Sequence, residues 1–280
     1  MPSIVVIGSV NLDIVASVTR LPVAGETVTG AKLRRYPGGK GANQALAARR
    51  LGADVRLVAR VGDDAAADEA LALLREGGVD LDECRRIEGA ETGLAFIAVA
   101  PSGENQIIVA PGANRMLTPD DVQAVAADAL ICQLEVPLPV IVEAAEAFSG
   151  FFGVNLAPAA EIDVRVLQRA DLVVVNETES DWYGASLRAC AGLVATTRGA
   201  GIATLEQDGQ VIAEAEPPGI QAVDTTGAGD TFTAALALAL VEGRAPREAL
   251  RFACVAGSLA AMARGAQPSL PNRASVLKRM

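Results

Sequence analysis

The chain of 280 residues contains no histidine. That absence removes Ser–His and Cys–His nucleophile pairs, imidazole general bases and His-based metal sites together. Proton chemistry here must therefore run on carboxylates, Lys, Tyr or Cys. Aromatic residues are scarce, at 3% of the chain. The four cysteines, Cys84, Cys132, Cys190 and Cys254, stand far apart and form no Cys-x-x-Cys pair. They read as small core residues in a reducing cytosol, which excludes a disulfide framework or a zinc site. Positive charge is in deficit, with 24 Lys and Arg against 34 Asp and Glu and a net charge of -10. A surface of that sign repels nucleic acid and anionic membranes, so neither is expected as a partner. The longest uncharged run, Ala147 to Ala160, is too short to span a bilayer and carries Gly and Pro. The N-terminus enters an apolar strand without a basic lead, so a soluble cytoplasmic protein is expected.

What remains is abundant small apolar sequence. Hydrophobic residues reach 51% and charged residues 21%, the balance of a packed globular chain. One domain spanning 1–280 is the expectation. Short apolar runs alternate with Ala-rich helical stretches. Ser3–Gly8, Val55–Val61, Ala129–Leu134, Phe152–Asn155, Asp171–Val175 and Gly192–Thr197 read as strands. Gly41–Leu51, Ala65–Glu76, Pro139–Phe148, Thr231–Glu242 and Pro246–Ala263 read as helices. Such alternation gives an α/β fold with a parallel sheet covered on both faces. Ligands of such sheets lie at the carboxyl ends of the strands. Two segments, about 14–36 and 92–110, instead alternate like half-exposed strands, with a Ser102-Gly103 turn in the second. They read as a small β appendage: a lid, a dimer interface or an ordinary surface hairpin.

Five strings carry candidate chemistry. Asp224-Thr-Thr-Gly-Ala-Gly-Asp230 precedes the helix read from Thr231. Gly227 and Gly229 suit a tight loop at a helix start, where unpaired N–H groups and the helix dipole favour an anion. Asp230 there is either a proton acceptor beside that anion site or simply a helix cap. Pro37-Gly-Gly-Lys-Gly-Ala-Asn43-Gln enters another helix. Its glycines would let a ligand lie against backbone while Lys40 and Asn43 donate to hydroxyls; the plainer reading is a solvated helix entry. Asn11 and Asp13 share one face of an extended chain. An amide beside a carboxylate suits a polyol, although an Asx turn accounts for both residues equally well. Glu135 follows the strand ending at Leu134, placed either for binding or for plain exposure. Asn176-Glu-Thr-Glu179 reads as a capping box, or as groups ordering Mg²⁺ and its waters, or both.

Together these strings resemble the ribokinase-like (PfkB) family of ATP-dependent sugar and nucleoside kinases. The likeness runs nearly end to end, from Gly8-Ser-x-Asn-x-Asp through Gly38-Gly-Lys-Gly-Ala-Asn-Gln-Ala, Gln133-Leu-Glu, Asn176-Glu-Thr-Glu and Asp224-Thr-Thr-Gly-Ala-Gly-Asp to Arg264-Gly-Ala-Gln-Pro-Ser269. The resemblance implies a three-layer α/β/α body with a small β-sheet lid that doubles as a homodimer clasp. It implies phosphoryl transfer from ATP to the primary hydroxyl of a sugar, D-ribose first. It makes Asp230 the base and the backbone of Gly227, Ala228, Gly229 and Asp230 the anion hole. Asn11, Asp13, Gly39, Lys40, Asn43 and Glu135 would hold the sugar. Asn176 and Gly229, with Thr197 and Gly199, would lie at the nucleotide, and Glu179 at Mg²⁺ through water. A monovalent cation, K⁺, would take Asp224, the carbonyls of Thr226, Ala260, Ala263 and Gly265, and Ser269.

Two departures from the family pattern stand out. The segment between Glu179 and Thr197 is short, so a helix over Ser180–Ala191 is truncated, with Trp182 and Tyr183 expected to cover the gap. Thr196-Thr-Arg198-Gly199-Ala-Gly201 is one residue short of the family's nucleotide loop. Alternatives to a ribose kinase are a kinase of deoxyribose, a fructose-type sugar or adenosine, and a catalytically impaired sugar-binding regulator. The scarcity of aromatics weakens the nucleoside reading.

Overall fold

A computed structural model describes residues 1–122 and 126–280. The first part of the chain forms β1 (Ser3–Ile7), β2 (Asn11–Ser17), β3 (Lys32–Gly38), α1 (Lys40–Arg50), β4 (Asp54–Gly62), α2 (Ala65–Glu76), β5 (Cys84–Ile87), β6 (Gly93–Val99) and β7 (Asn105–Ala110). Two 3₁₀ turns follow, Gly112–Met116 and Pro119–Val122. Then come β8 (Ala129–Gln133), α3 (Leu138–Ala147), β9 (Phe151–Asn155), α4 (Val164–Arg169), β10 (Leu172–Asn176), α5 (Glu177–Tyr183) and a 3₁₀ turn at Gly184–Ala189. The last part holds β11 (Leu193–Arg198), β12 (Gly201–Gln207), β13 (Gln210–Ala215), α6 (Ala228–Val241), α7 (Pro246–Ala260) and α8 (Arg273–Leu277).

Nine strands form the main sheet in the order β13-β12-β11-β10-β9-β8-β1-β4-β5. From β5 to β11 every pairing is parallel, while β12 and β13 add an antiparallel edge. The expected strands are present, but three edge strands escaped the sequence reading. β5 (CRRI) is too charged to announce itself, and β12–β13 is a hairpin around Asp208-Gly209 whose outer residues are largely exposed. Adjacent residues of β1 feed opposite layers, as strand pleating requires. Ile4 and Val6 pack with Leu46, Phe232 and Phe252 of α1, α6 and α7, while Val5 and Ile7 pack with Ile141, Phe152 and Leu167 on the other side. Because both faces are covered, the central strands are continuously apolar.

The second sheet has four strands in the order β3-β2-β6-β7, with β2 and β6 parallel at its centre. It is the expected β appendage, though it begins at Asn11 rather than Ile14. β2 and β6 follow β1 and β5 from the carboxyl end of the main sheet, so the lid hangs over the place where parallel-sheet ligands bind. No helix among the described residues is long and apolar enough to cross a membrane.

Candidate active site

The site begins where two helices start. Gly39 caps α1 with φ 88, a backbone conformation that L side chains rarely adopt, and a Cβ there would meet Asn11 N at 2.7 Å and Ser9 O at 2.8 Å. Gly38 faces the Asp13 carboxylate and Gly41 the Gly8–Ser9 backbone. These glycines let the chain pack closely on itself, and Gly39 also lines the cavity described below. Their effect is to place Lys40, the first residue of α1, over the end of β1.

The second helix, α6, starts at Ala228, three residues before the expected Thr231. Gly227 is its N-cap in the left-handed region (φ 79), with Ala266 packed against its α-carbon so that an added Cβ would lie 2.9 Å away. Asp230 is thus the third helical residue, and no side chain caps this helix. The plain cap reading of Asp230 is displaced. Its carboxylate is buried and accepts from Asn43 Nδ2 at 2.8 Å and from Gln44 Nε2 at 3.2 Å. The Ala228 N–H is already engaged with the Thr225 carbonyl at 3.1 Å. Among the described residues, the N–H groups of Gly227, Gly229 and Asp230 have no hydrogen-bond acceptor. Space beside Gly229 is open, since a Cβ there would meet nothing within 4 Å. Free N–H groups at the positive end of a helix facing open space form an anion cradle.

Around this point the predicted residues converge. Asn11, Asp13, Gly39, Lys40, Asn43, Glu135, Asn176, Glu179, Thr197, Gly227, Gly229 and Asp230 all line one cavity of about 520 Å³. Lid residues, among them Ile97, Asn105 and Ile107, close its other side. Glu135 is half-buried rather than free in solvent: it accepts from Ser9 Oγ and from the Lys40 backbone N–H at 3.1 Å. Asn176 caps α5 and accepts from Glu179 N at 2.8 Å, while Glu179 Oε2 accepts from Asn176 N at 2.8 Å. The capping box therefore exists and also faces the cavity. Gly199 does not line that cavity; it sits exposed at a turn with φ 57.

Electrostatics tie the cluster together. Burial works to lower the pKa of the Lys40 ammonium. The carboxylates of Asp230, Glu135, Glu179 and Asp13 outweigh it and hold the group above its ordinary value. Lys40 is therefore a cation inside an acidic ring, not a side chain pointing to water. Desolvation, then Glu135, Asp230 and Asp224, push Asp13 up to about 7, with Lys40 pulling the other way. Glu179 is raised by burial against the lowering effects of the Asn176 N–H and Lys40.

Beside this cavity, Asp224 organises a second cluster. Its Oδ1 accepts from Thr226 N at 3.0 Å and Thr226 Oγ1 at 2.7 Å, and its Oδ2 accepts from Gly265 N at 2.9 Å. α7 ends at Ala260, short of the expected Ala263, and the turn that follows carries Gly265 back to Asp224. Among the described residues, the carbonyls of Thr226, Ala260, Ala263 and Gly265 accept no hydrogen bond. Ser269 Oγ donates to the Ala266 carbonyl at 2.9 Å. No group of three or more acidic or cysteine side chains among the described residues forms a metal site by itself.

Sequence reasoning missed the amides behind the base. Gln44, fully buried, donates to Asp230 and, at 3.3 Å, to Asn155 Oδ1. Its Oε1 accepts from Gln133 Nε2 at 2.7 Å, and Asn155 Nδ2 donates to the Val174 carbonyl at 3.1 Å. A buried Gln inside an Ala-rich helix was the available signal, because such a group needs partners. On the far side, the shortened segment forms α5 and one 3₁₀ turn. Tyr183 is buried, with its hydroxyl donating to Ala160 O at 2.8 Å and accepting from Ala160 N at 3.1 Å. Trp182 does not cover a gap: it is 60% exposed.

A parallel α/β body, a four-stranded lid and a carboxylate beside a helix-start anion cradle define a kinase-type site. The pattern of the pfkB family of carbohydrate kinases matches residues 1–273, and the chain belongs to that family. The chain is 37% identical to the ribokinase of Bacillus subtilis, with 99% of this chain and 98% of that protein covered. Its structure superposes on the ribokinase of Thermotoga maritima with a TM-score of 0.90 at 32% identity, covering 99% of each chain. It also superposes on Arabidopsis thaliana ribokinase complexed with ribose and ATP, with a TM-score of 0.88 at 34% identity, covering 99% of this chain and 98% of that one.

Proposed function

We propose that this protein is a cytoplasmic ATP-dependent ribokinase that phosphorylates the primary 5-hydroxyl of D-ribose. The observation that carries the reading is the single cavity in which the amide and carboxylate of Asn11 and Asp13, the Lys40 cation and Glu135 face the Asp230 carboxylate and the free N–H groups of α6. Polyol hydroxyls both donate and accept, so an acceptor–donor–cation set matches them. Phosphoryl transfer asks a protein mainly for positioning and charge stabilisation. Asn11, Asp13, Lys40, Asn43 and Glu135 hold the sugar with its primary hydroxyl against Asp230. Asp230 accepts the hydroxyl proton while the N–H groups of Gly227, Gly229 and its own backbone steady the transferring phosphoryl charge. Two amides donating to Asp230 hold it as an acceptor aimed at that hydroxyl. The lid covers the sugar and keeps water from taking the phosphoryl group.

Asn176 and Thr197 lie on the nucleotide side, with exposed Gly199 at its edge. The Glu179 oxygen not spent on Asn176 suits a water-mediated hold on Mg²⁺, a cation that keeps several waters and neutralises phosphate charge. The four unpartnered carbonyls around Asp224 suit a weakly hydrated monovalent cation such as K⁺. Replacing Na⁺ by K⁺ at fixed Mg²⁺-ATP is expected to raise turnover; identical rates contradict that cation site. Large apolar residues exposed on the lid, with Leu33 at 68% and Ile108 at 71%, suit burial against a second copy in a lid-to-lid homodimer. The whole chain, residues 1–280, acts as one domain in this reading. A coupled ADP-release assay across D-ribose, 2-deoxyribose, fructose and adenosine tests the substrate. The highest kcat/KM is expected for ribose, and a preference for any of the others overturns the assignment.

A further inference from the structure

The sugar-facing amide of Asn11 is of use only if its NH₂ end, not its oxygen, points into the cleft beside the Asp13 carboxylate. Two acceptors side by side would leave a sugar hydroxyl's lone pairs without a donor. The choice is fixed by a buried residue outside the cavity. Asn114 sits in the 3₁₀ turn that follows the last lid strand, and it is 1% exposed. The backbone N–H of Val10 can only donate, and it donates to Asn114 Oδ1 at 2.9 Å. That fixes the opposite end of the Asn114 amide as its NH₂. This group donates to the Val10 carbonyl at 3.2 Å and to Asn11 Oδ1 at 2.8 Å. With its oxygen taken from behind, Asn11 has its NH₂ left for the cleft. Gly93, paired with Asn11 across β2 and β6, makes the room: a side chain there would strike both Asn11 Oδ1 and Asn114 Nδ2.

We propose that Asn114 is a positioning residue that sets the polarity of Asn11, so that a donor (Asn11) and an acceptor (Asp13) together read a ring hydroxyl of the sugar and reject analogues lacking it. The proposal rests on the sugar-kinase reading above and adds to it a residue that touches no substrate. Its mechanism is a relay: a main-chain N–H, whose polarity cannot change, orients one amide, which orients the next. A site built to hydrogen-bond a hydroxyl discriminates against the deoxy compound because its own buried groups are then left unpaired.

Asn114→Asp keeps the acceptor for Val10 N–H but replaces the donor with a second oxygen. Asn11 must then turn its NH₂ backwards and present its oxygen to the cleft. Sugar binding by calorimetry and steady-state kinetics with D-ribose, 2-deoxyribose and 3-deoxyribose reads the result. In the wild-type protein one of the two deoxy sugars is expected to bind at least about tenfold more weakly than ribose. In Asn114→Asp the ribose KM rises about tenfold or more, that preference falls towards unity, and kcat stays within about threefold. A role in folding alone would not erase the preference while sparing kcat. An unchanged ribose KM with the preference intact overturns the proposal.

A readout on the wild-type protein does not depend on the variant folding. The side-chain NH₂ resonances of Asn11, assigned by their loss in Asn11→Asp, are expected to move when ribose is added. Resonances that stay fixed at saturation overturn the proposal with the kinase reading untouched. A wild-type protein that binds and phosphorylates none of the three sugars overturns the kinase reading itself, and this inference with it.

Discussion

The two sides of the cleft are built differently. On the side proposed for the sugar, most side chains are held by another, although the buried Asn43 Oδ1 and Gln133 Oε1 have no partner among the described residues. Asn114 holds Asn11, Ser9 and the Lys40 backbone hold Glu135, and Asn43, Gln44, Gln133 and Asn155 lie behind Asp230. On the side proposed for the nucleotide, the groups are the cap of one short helix, the end of β11 and an exposed glycine turn. The difference teaches where selectivity resides. A preorganised, water-poor region can discriminate between hydroxyls, whereas an open one lined by few fixed groups binds through phosphate charge and tolerates a shortened chain. Substitutions on the two sides should therefore differ by orders of magnitude.

The largest effect belongs to the base. Asp230→Asn is expected to lower kcat by about 10²–10⁴-fold while ribose still binds, as single-turnover kinetics and calorimetry on one preparation would show. Full activity of that variant would mean the proton acceptor lies elsewhere. Next is the layer behind it. Gln44→Leu preserves bulk but removes a donor to Asp230 and leaves Gln133 Nε2 and Asn155 Oδ1 unpaired. A loss of roughly 2 kcal/mol in denaturant unfolding is expected, with kcat down by about tenfold; unchanged stability would show that the amide network is dispensable.

Asp13 gives a pH signature. Burial first, then the neighbouring carboxylates, push its carboxyl up to about 7, and in the proposed sugar contact the ionised form is the stronger acceptor. Ribose affinity should thus be level above pH 7 and weaken below it, by up to about tenfold per pH unit. An affinity flat from pH 8 to 5.5 would remove Asp13 from the sugar's contacts. The stability sign is the reverse. The folded state holds the Asp13 proton more tightly than the unfolded chain, so raising the pH from about 4 to 7 removes stability, and the loss persists above 7. Asp13→Asn is accordingly expected to melt higher than the parent at pH 8 while failing to bind ribose. The smallest effect lies outside the cleft, on the exposed end of α5: Trp182→Ala should alter stability by less than about 0.5 kcal/mol and the KM for ATP by less than twofold. A large loss there would dissolve the contrast between the two sides.

Much of this contrast was legible in the residues alone, and the limits have physical causes. The central strands announce themselves because burial on both faces makes them continuously apolar, and the lid announces itself by alternation. Polar groups next to glycines at strand ends and helix starts mark the cavity. Gln44 and Asn114 were hidden because their meaning is tertiary. A Gln within an Ala-rich helix signals that it needs partners, but neither it nor the Asn of a short turn says which, until one 186 or 103 positions away comes into contact. The start of α6 was misplaced because Ala228 and Gly229 carry no apolar periodicity, although the left-handed Gly227 before them sets the boundary. Edge strands such as β5 escape because exposure removes the hydrophobic signal that defines a strand.

In the proposed reaction the lid side grips the sugar's ring hydroxyls and delivers its primary hydroxyl to Asp230. The most direct measurement is the position of the phosphate in the product formed from ATP and D-ribose, read from the phosphorus–proton couplings of the isolated sugar phosphate. One product is expected, phosphorylated on the C5 methylene oxygen, with ADP released in equal amount and no ADP release when 5-deoxyribose replaces ribose. Phosphate on a ring hydroxyl, or undiminished ADP release with 5-deoxyribose, would contradict it.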